Sequence, residues 1–351
     1  MRNIPCGSAA RLPGLTLLRG IAVLFLIIHH TLEASVTARI GPRSPDWLTR
    51  IGESGVDTLF TVSGFLALYA SFRPQNPIPT ASDFLFRRLT RIYPFYWVCL
   101  MGLIAIWFAG FLHSRDLTAG AIAKSLLLIP SQDTLIGLSW VLSYQVFFFL
   151  IFSATLPLRS RDASLTICLG AMPLVLTIAT LFPEGDLRDF FAKPILIEFC
   201  FGMLAARLVL TRSEQAPISA YWSLLAFAVL AVAPLFVPYP DTSGTQGLSR
   251  LVCWGLPAVL LTITFVSLKP PGSLSGHFGL LLGNASYAIY LTHFFVMLLY
   301  AKLLKDTHFG DRPQTLVVPV VVAICIIAGL LAHFGIERPL QVLNRSRARS
   351  E

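Results

Sequence analysis

The stretch "RGIAVLFLIIHH" at residues 19–30 places three ionisable side chains in an otherwise apolar segment. On a helix, Arg19 and His30 are three turns plus about 20° apart, so they share one face about 16 Å apart. Glu33 lies one turn beyond His30, close enough to orient the imidazole or share its proton, whereas His29 points elsewhere. Ionisable groups in a membrane are costly and usually functional, the alternative being a snorkelling arginine beside two hydrogen-bonded histidines.

The next polar residues lie in the segment "GESGVDTLFTVSGFL", where Asp57 and Ser63 interrupt a second apolar run. An unpaired carboxylate would be unstable there, so Asp57 is expected to pair with His30 or with a basic group of another helix. That pairing is either structural or catalytic. Two glycines in the same segment, Gly55 and Gly64, predict close helix packing.

An arginine cluster precedes the third apolar run in "DFLFRRLTRIYPFYW". Arg87, Arg88 and Arg91 lie within about one helical turn, so two or three guanidinium groups can bind phosphate oxygens together. Those oxygens belong either to a phosphorylated ligand or to lipid head groups.

Later apolar runs also contain polar side chains, which are costly unless they are paired or face a ligand. The simpler interpretations are an interface anchor for the tryptophan and internal hydrogen bonds for the others. The candidate ligand contacts in these runs are Trp140, Ser143, Gln145, Glu198, Tyr290 and His293.

The apolar segments that contain these side chains are typical of helices that cross a membrane. The chain has 351 residues, of which 55% are hydrophobic and only 13% charged, and its mean hydropathy is +0.71. A bilayer core about 30 Å thick needs roughly 20 apolar residues in a helix. We therefore predict an all-α polytopic membrane protein with about ten transmembrane helices in one domain, residues 1–351. The runs lie near residues 15–34, 54–72, 92–112, 138–157, 164–182, 191–210, 220–237, 250–268, 279–301 and 315–336.

Basic residues indicate the orientation of these helices. An even number of spans puts both termini on one side, and the loops on that side hold more Lys and Arg. We therefore predict that both termini are cytoplasmic and form short basic tails at 1–14 and 340–351. The C-terminal tail ends in "NRSRARSE", which we predict to be disordered. The first run resembles a signal peptide, but Arg19 within it favours a retained helix. The run "AIAKSLLLIP" is too short to span and predicts a re-entrant or interfacial segment.

Composition limits the ligands. The six cysteines are scattered singly, without metal-binding or redox spacing, so we predict neither a disulfide nor a metal site. The formal charge of +9 suits positive-inside loops, acidic lipids and an anionic ligand. A nucleic-acid surface is not expected on so apolar a chain.

In order along the chain, the motifs resemble those of the acyltransferase-3 group, membrane-bound enzymes that O-acylate cell-surface carbohydrates. The resemblance rests on the arginine-to-histidine spacing of residues 19–30 and on further segments that cover nearly the entire chain. Those segments are "GVDTLFTVSGFL", "FLFRRLTRIYPFYW", "SWVLSYQVFFFLIF", "LIEFCFGMLAARL", "LGNASYAIYLTH" and "IERPL". The chain is most similar to the short exopolysaccharide-type members, but it has Gln145 where the family usually has an acidic residue.

The resemblance implies acyl transfer from acyl-CoA, usually acetyl-CoA, to a sugar hydroxyl, with no permanently bound cofactor. A thioester is already activated, so such an enzyme mainly has to deprotonate the alcohol. His30 is the expected general base, tuned by Glu33 or Asp57. Arg19 is expected to hold the donor along a channel, the arginine cluster to bind the CoA phosphates, and the other polar residues to contact the acceptor.

Three alternatives stay open at the level of the sequence. An acyl-enzyme on Ser63 or Ser143 would replace direct transfer. A transporter or flippase for sugars or lipid-linked intermediates would also line its path with buried charges, although the two halves of the chain do not repeat. A catalytically impaired scaffold of a polysaccharide-synthesis complex would account for Gln145. The expected location is the bacterial inner membrane, where the partners are membrane lipids, acyl-CoA and a carbohydrate or lipid-linked acceptor.

Overall fold

A computed structural model of the chain describes residues 12–37, 46–111, 117–131, 134–211, 221–236, 247–268, 272–306 and 314–350. These ranges contain helices and turns and no β-strand, so the expected all-α membrane fold is confirmed. The helices are α1 (Pro13–Thr37), α2 (Asp46–Phe72), α3 (Ala81–Phe108), α4 (Ala119–Leu127), α5 (Trp140–Thr155), α6 (Arg161–Ala179), α7 (Asp186–Phe191), α8 (Ile197–Thr211), α9 (Tyr221–Phe236), α10 (Leu248–Arg250), α11 (Leu256–Val266), α12 (Leu274–Asp306), α13 (Gln314–Ala332) and α14 (Arg338–Ser350). Single π turns, Leu251–Gly255 and His333–Glu337, join α10 to α11 and α13 to α14.

Within the described ranges, eight helical segments are long and apolar enough to cross a membrane. Two shorter apolar helices, Tyr221–Val232 and Leu251–Val266, lie where the seventh and eighth spans are expected. The multi-pass architecture is therefore confirmed, while the count of ten and the cytoplasmic side of the termini stay predictions. The eight segments are Pro13–Ser35, Thr49–Phe72, Ala81–Phe108, Gly137–Leu158, Arg161–Ala179, Pro194–Thr211, Leu274–Leu304 and Thr315–Asn344.

Helix α1 lies at the centre of the bundle, where it packs against α2, α11, α12 and α13. Helix α2 lies between α1 and α8, and two glycines bring the backbones together. A Cβ atom on Gly55 would lie 2.3 Å from the carbonyl oxygen of Ala22, and one on Gly64 would lie 1.9 Å from that of Phe199. The close packing predicted for these glycines is confirmed. It holds α2, the helix that contains Asp57, against both α1 and α8.

The short run predicted not to span forms α4, a helix of nine residues. Its C-terminal carbonyl groups accept hydrogen bonds from three side chains of α3: those of Tyr93, Tyr96 and Trp97, at 3.1, 2.8 and 3.0 Å. Such bonds satisfy backbone oxygens that the helix end leaves free, so this segment can lie at membrane depth against protein.

The C-terminal segment is helical through Ser350. The predicted disorder of "NRSRARSE" is therefore wrong for the described backbone, because α14 packs against α3 and Asn344 Nδ2 donates to the carbonyl oxygen of Thr90 at 3.3 Å. Most of the predicted N-terminal tail, residues 1–11, lies outside the described residues.

Candidate functional site

Helix α1 contains the His30–Glu33 pair that the sequence spacing predicts. His30 Nδ1 lies 3.3 Å from Glu33 Oε2. The same oxygen lies 3.6 Å from Nε2 of His29, whose Nδ1 is 2.7 Å from the carbonyl oxygen of Thr49 on α2. The ligand atoms of these three side chains lie within 4.8 Å of one another, an arrangement that can hold a metal ion. His29 was expected to point elsewhere, yet its outer nitrogen reaches the shared carboxylate.

The imidazole of His293, on α12, stacks against His30. The ring centroids are 5.5 Å apart and the planes differ by 21°. His293 is fully buried, its Nδ1 lies 3.3 Å from the carbonyl oxygen of Ile289, and its Nε2 has no hydrogen-bond partner among the described residues. Tyr290 contacts the His293 ring at 5.8 Å, as predicted from their spacing, and donates its own hydroxyl proton to the carbonyl oxygen of Leu138.

At its other end, the polar face of α1 also contacts α12. Arg19 Nη2 donates to Ser286 Oγ at 2.8 Å. Arg88, Arg91 and Glu337 are close enough to interact electrostatically with the Arg19 guanidinium. Because Arg19 meets Ser286 and His30 meets His293, α1 and α12 run in the same direction. We call these four residues the α1–α12 seam.

The three arginines of the cluster do not have equivalent surroundings. Arg87 and Arg91 are exposed, as a phosphate-binding role requires. Arg88 is half-buried: its Nη2 donates to the carbonyl oxygen of Leu66 at 3.1 Å, and its guanidinium lies 5.2 Å from two phenylalanine rings, one on α3 and one on α5. Arg88 therefore also holds α3 against its neighbours.

Asp57 pairs with a basic group of another helix rather than with an atom of His30. Arg250 donates to both Asp57 oxygens, from Nε at 2.9 Å and from Nη2 at 2.7 Å, and from Nη1 to Glu53 at 2.9 Å. Of the two carboxylates considered for His30, Glu33 is the one in contact with it. The π turn after Arg250, Leu251–Gly255, lies just before Pro257, which has no N–H to donate to the carbonyl oxygen of Cys253 within that turn.

Glu198 completes this group, which we call the buried ion cluster: Asp57, Glu53, Glu198 and Arg250. The Glu198 side chain is fully buried, and neither oxygen accepts a hydrogen bond in the part of the chain that the structure describes. It lies close enough to Asp57 and Arg250 to interact electrostatically with both. One guanidinium thus faces three carboxyl groups, and full ionisation of all three would leave negative charge buried in the membrane.

The two predicted serines and the glutamine lie on α2 and α5. Gln145 Nε2 donates to Ser63 Oγ at 3.3 Å, and Ser63 donates to the carbonyl oxygen of Leu59. Ser143 is buried and donates to the carbonyl oxygen of Ser139. In the described residues neither serine hydrogen-bonds to a histidine, so an acyl-enzyme on either would lack an adjacent base.

Trp140 is half-buried in an aromatic cluster, where its ring meets those of Phe60 at 6.2 Å and Tyr144 at 5.7 Å, both edge to face. These contacts fit an internal packing role better than an anchor at the membrane surface.

Comparison with known proteins shows the family to which the chain belongs. Residues 12–334 match the acyltransferase-3 family model, which describes an acyltransferase domain. The chain belongs to this family. It is 29% identical over 317 residues to the exopolysaccharide production protein ExoZ of Rhizobium meliloti (strain 1021), covering 85% of this chain and 92% of that protein. No solved structure matches the chain.

As an acyltransferase-3 member, the chain is a multi-pass membrane acyltransferase. Gln145 stands where the resemblance led us to expect an acidic residue, and its amide donates a hydrogen bond to Ser63. An ionised glutamate only accepts hydrogen bonds, so it could not donate to Ser63 as Gln145 does.

Sequence reasoning missed Arg250 and His333. Arg250 ends α10 and directly precedes the apolar helix Leu251–Val266, a position where a basic residue usually marks the membrane surface. His333 Nδ1 lies 2.7 Å from Glu337 Oε2, and Gln341 donates to the other oxygen at 2.8 Å. The i,i+4 spacing of these three residues was a usable signal for that contact.

Proposed function

We propose that this acyltransferase moves an acyl group, most readily acetyl, from acyl-CoA to a hydroxyl of a cell-surface carbohydrate such as an exopolysaccharide repeat unit. The acceptor class is supported by the family and by ExoZ, whose name describes exopolysaccharide production. We further propose the bacterial inner membrane as its location, in agreement with several apolar helices and a bacterial relative.

The observation that carries the proposal is the α1–α12 seam, where a histidine held by a carboxylate and an anchored arginine share one helix face. His30 is only partly buried, its side chain being 24% exposed, so a substrate hydroxyl can reach it. Arg19 lies about 16 Å away along the helix axis. An extended CoA arm can connect an anionic site near Arg19 to the acyl-transfer site.

The chemistry follows from the His30–Glu33 contact. A carboxylate accepts hydrogen bonds, so Glu33 favours the tautomer with the proton on Nδ1 and leaves Nε2 of His30 free. Nε2 takes the proton of the acceptor hydroxyl as its oxygen attacks the thioester carbonyl. The carbon–sulfur bond then breaks, and the leaving thiolate of CoA takes up the proton from His30. No other reactant is needed.

The donor's phosphates are assigned to Arg87 and Arg91, which are exposed on the first turns of α3. Arg88, which shares this cluster, contributes mainly by holding α3. Arg19 binds the donor deeper in the bundle. Guanidinium groups suit this task because they bind phosphate oxygens with two parallel hydrogen bonds.

The acceptor contacts are proposed along the remaining polar side chains. His293 offers its unpartnered Nε2 beside His30, and Gln145 and Ser63 form a hydrogen-bonded pair. Asp57 is reassigned from tuning His30 to positioning α2 through Arg250. The other acceptor contacts that we predicted, and retain as proposals, are Trp140, Ser143, Glu198 and Tyr290.

The proposal is tested with purified full-length protein in detergent, radiolabelled acetyl-CoA and an exopolysaccharide from the same organism. We expect CoA release that depends on the acceptor. The radiolabel should be transferred to the polysaccharide, and alkali should release it, as expected for an ester. The Arg159→Gln variant removes an exposed arginine outside the proposed site, so it should retain wild-type transfer. Solute movement in vesicles without CoA release would instead favour a transporter, and binding of pathway proteins without either activity would favour a scaffold.

A vesicle assay tests the side on which the acceptor is modified. We propose that donor enters from the cytoplasm and that the acceptor hydroxyl meets His30 from the opposite side. In sealed vesicles of defined orientation, acceptor should be acylated when it faces the side opposite the donor. Acylation only with both substrates on the cytoplasmic face would contradict this route.

A further inference from the structure

The three side chains at the outer end of the α1 polar face lie at distances typical of a metal site. Glu33 Oε2 is 3.3 Å from His30 Nδ1 and 3.6 Å from His29 Nε2. In a tetrahedral zinc site with bonds of about 2.0–2.2 Å, ligand atoms lie about 3.3–3.6 Å apart. All three ligand atoms lie within 4.8 Å of one another, so only the two imidazole nitrogens need to approach.

The hydrogen bond of His29 gives a second reason. Its Nδ1 lies 2.7 Å from the carbonyl oxygen of Thr49, and a carbonyl only accepts, so Nδ1 carries the proton. In the neutral ring, Nε2 of His29 therefore carries a lone pair, and this atom lies 3.6 Å from Oε2 of the Glu33 carboxylate. Two acceptors in that position repel unless a cation lies between them. Metal-binding histidines commonly donate a hydrogen bond from their other ring N–H to a backbone carbonyl in this way.

We propose that His29, His30 and Glu33 bind a divalent transition metal, best matched by Zn²⁺, and that the bound ion inhibits acyl transfer. Two imidazoles and a carboxylate are a ligand set that Zn²⁺ accepts, with water in the fourth position. Glu33 is 54% exposed on its side chain, so an ion can reach it from outside the helix bundle. The scattered cysteines gave no sign of this site because its ligands are two adjacent histidines and a carboxylate.

The inhibitory half of the proposal rests on the proposed function. A neutral imidazole that binds a metal through Nδ1 carries its proton on Nε2. The Nε2 atom of His30 would then hold a proton already and could not accept one from a substrate hydroxyl. Zn²⁺ at this site therefore removes the base without displacing either substrate.

Binding is measured directly, without reference to activity. Full-length protein purified without a histidine tag and treated with chelator is titrated with Zn²⁺ by calorimetry, and with Co²⁺ followed by its visible absorption. We expect one equivalent to bind, with at least tenfold weaker binding in Glu33→Gln and His29→Asn. Glu33→Gln is the safer variant, because the exposed Glu33 contributes little to packing.

Matched controls remove a histidine or a carboxylate elsewhere: His277→Asn and Asp83→Asn, both at exposed positions. These variants should bind Zn²⁺ like the wild type. Equal binding by Glu33→Gln and the controls, or no saturable binding in the wild type, would overturn the site; the cation between His29 and Glu33 would then be a proton.

Inhibition is measured separately, as CoA release with and without stoichiometric Zn²⁺. We expect at least a tenfold loss of transfer that a chelator reverses and that His29→Asn resists, since His29 has no part in the proposed transfer step. Saturable binding with unchanged transfer would refute inhibition while leaving the site intact. A protein that binds Zn²⁺ but shows no transfer under any condition would count against the proposed function and not against the site.

Discussion

The α1–α12 seam and the buried ion cluster both contain ionisable groups within apolar helices, but they differ in access and in how their central side chain is paired. In the seam, the His30 side chain is 24% exposed and contacts Glu33 through Nδ1. In the cluster, the side chains of Asp57 and Arg250 are 0% and 6% exposed and bond to each other through two hydrogen bonds.

This difference separates chemistry from support. A group that reacts must keep an atom available to substrate, whereas a bidentate ion pair uses both carboxylate oxygens of Asp57 to hold α2 against the segment that begins at Arg250. Substitutions in the α1–α12 seam should therefore mainly lower turnover, and substitutions in the buried ion cluster should mainly lower the free energy of unfolding.

The largest expected effect is that of His30→Ala on turnover. Loss of the general base should slow acyl transfer by about 10²–10⁴-fold while acetyl-CoA still binds. Single-turnover acyl transfer and equilibrium donor binding measure the two quantities. His277→Ala, at an exposed histidine, should leave both unchanged. Wild-type turnover in His30→Ala would remove the distinction between the two regions.

The next effect is on stability, in the buried ion cluster. Arg250→Met removes the guanidinium and leaves buried carboxylates unpaired, which should cost about 3–5 kcal/mol of unfolding free energy. Adding Asp57→Asn should recover part of that loss, because one buried charge is then removed as well. Denaturant titration in mixed micelles measures both variants. An unchanged unfolding free energy in Arg250→Met would show that the cluster is not a structural support.

A smaller effect is expected at the arginines of α3. The double variant Arg87→Gln with Arg91→Gln should weaken acetyl-CoA binding by about tenfold to a hundredfold, because charge-assisted hydrogen bonds to phosphate are worth about 1.5–3 kcal/mol. Its unfolding temperature should match the wild type. Arg88→Gln should lower that temperature, since Arg88 is packed between aromatic rings. Equal donor binding in the double variant and in Arg159→Gln would contradict the assigned phosphate site.

The smallest effect is expected for Gln145→Glu. The Gln145 amide donates to Ser63, whereas a glutamate carboxylate could only accept a hydrogen bond from the Ser63 hydroxyl. Ser63 would then lose its hydrogen bond to the carbonyl oxygen of Leu59, at a cost of about 0.5–1.5 kcal/mol. We therefore expect a loss of transfer of about two- to tenfold. A large gain of transfer would indicate instead that the natural chain is an impaired enzyme.

Local features of the sequence were predictable where a single helix determines them. The apolar runs gave the multi-pass fold, and i,i+3 spacing gave the His30–Glu33 contact. The close approach of α2 to its neighbours followed from its glycines.

Contacts between distant helices were not predictable in the same way. The partner of Asp57 lies 193 residues away, and Arg250 gave no signal beyond its place beside an apolar run. Arg88 could not be distinguished from Arg87 and Arg91, because their difference depends on whether each side chain faces the bundle or the surface. Side chains on one helix follow from its periodicity, whereas pairing across helices depends on tertiary packing.

The most direct test of the central claim, that the His30 imidazole takes the hydroxyl proton, is chemical rescue of His30→Ala. Imidazole and pyrazole, rings of similar size but very different basicity, are compared in chelator-treated acyl-transfer assays. We predict that imidazole restores part of the lost turnover in a saturable manner, that pyrazole restores far less, and that neither stimulates the wild type. Equal stimulation by the two rings, or a His30→Ala variant that needs no rescue, would contradict the claim.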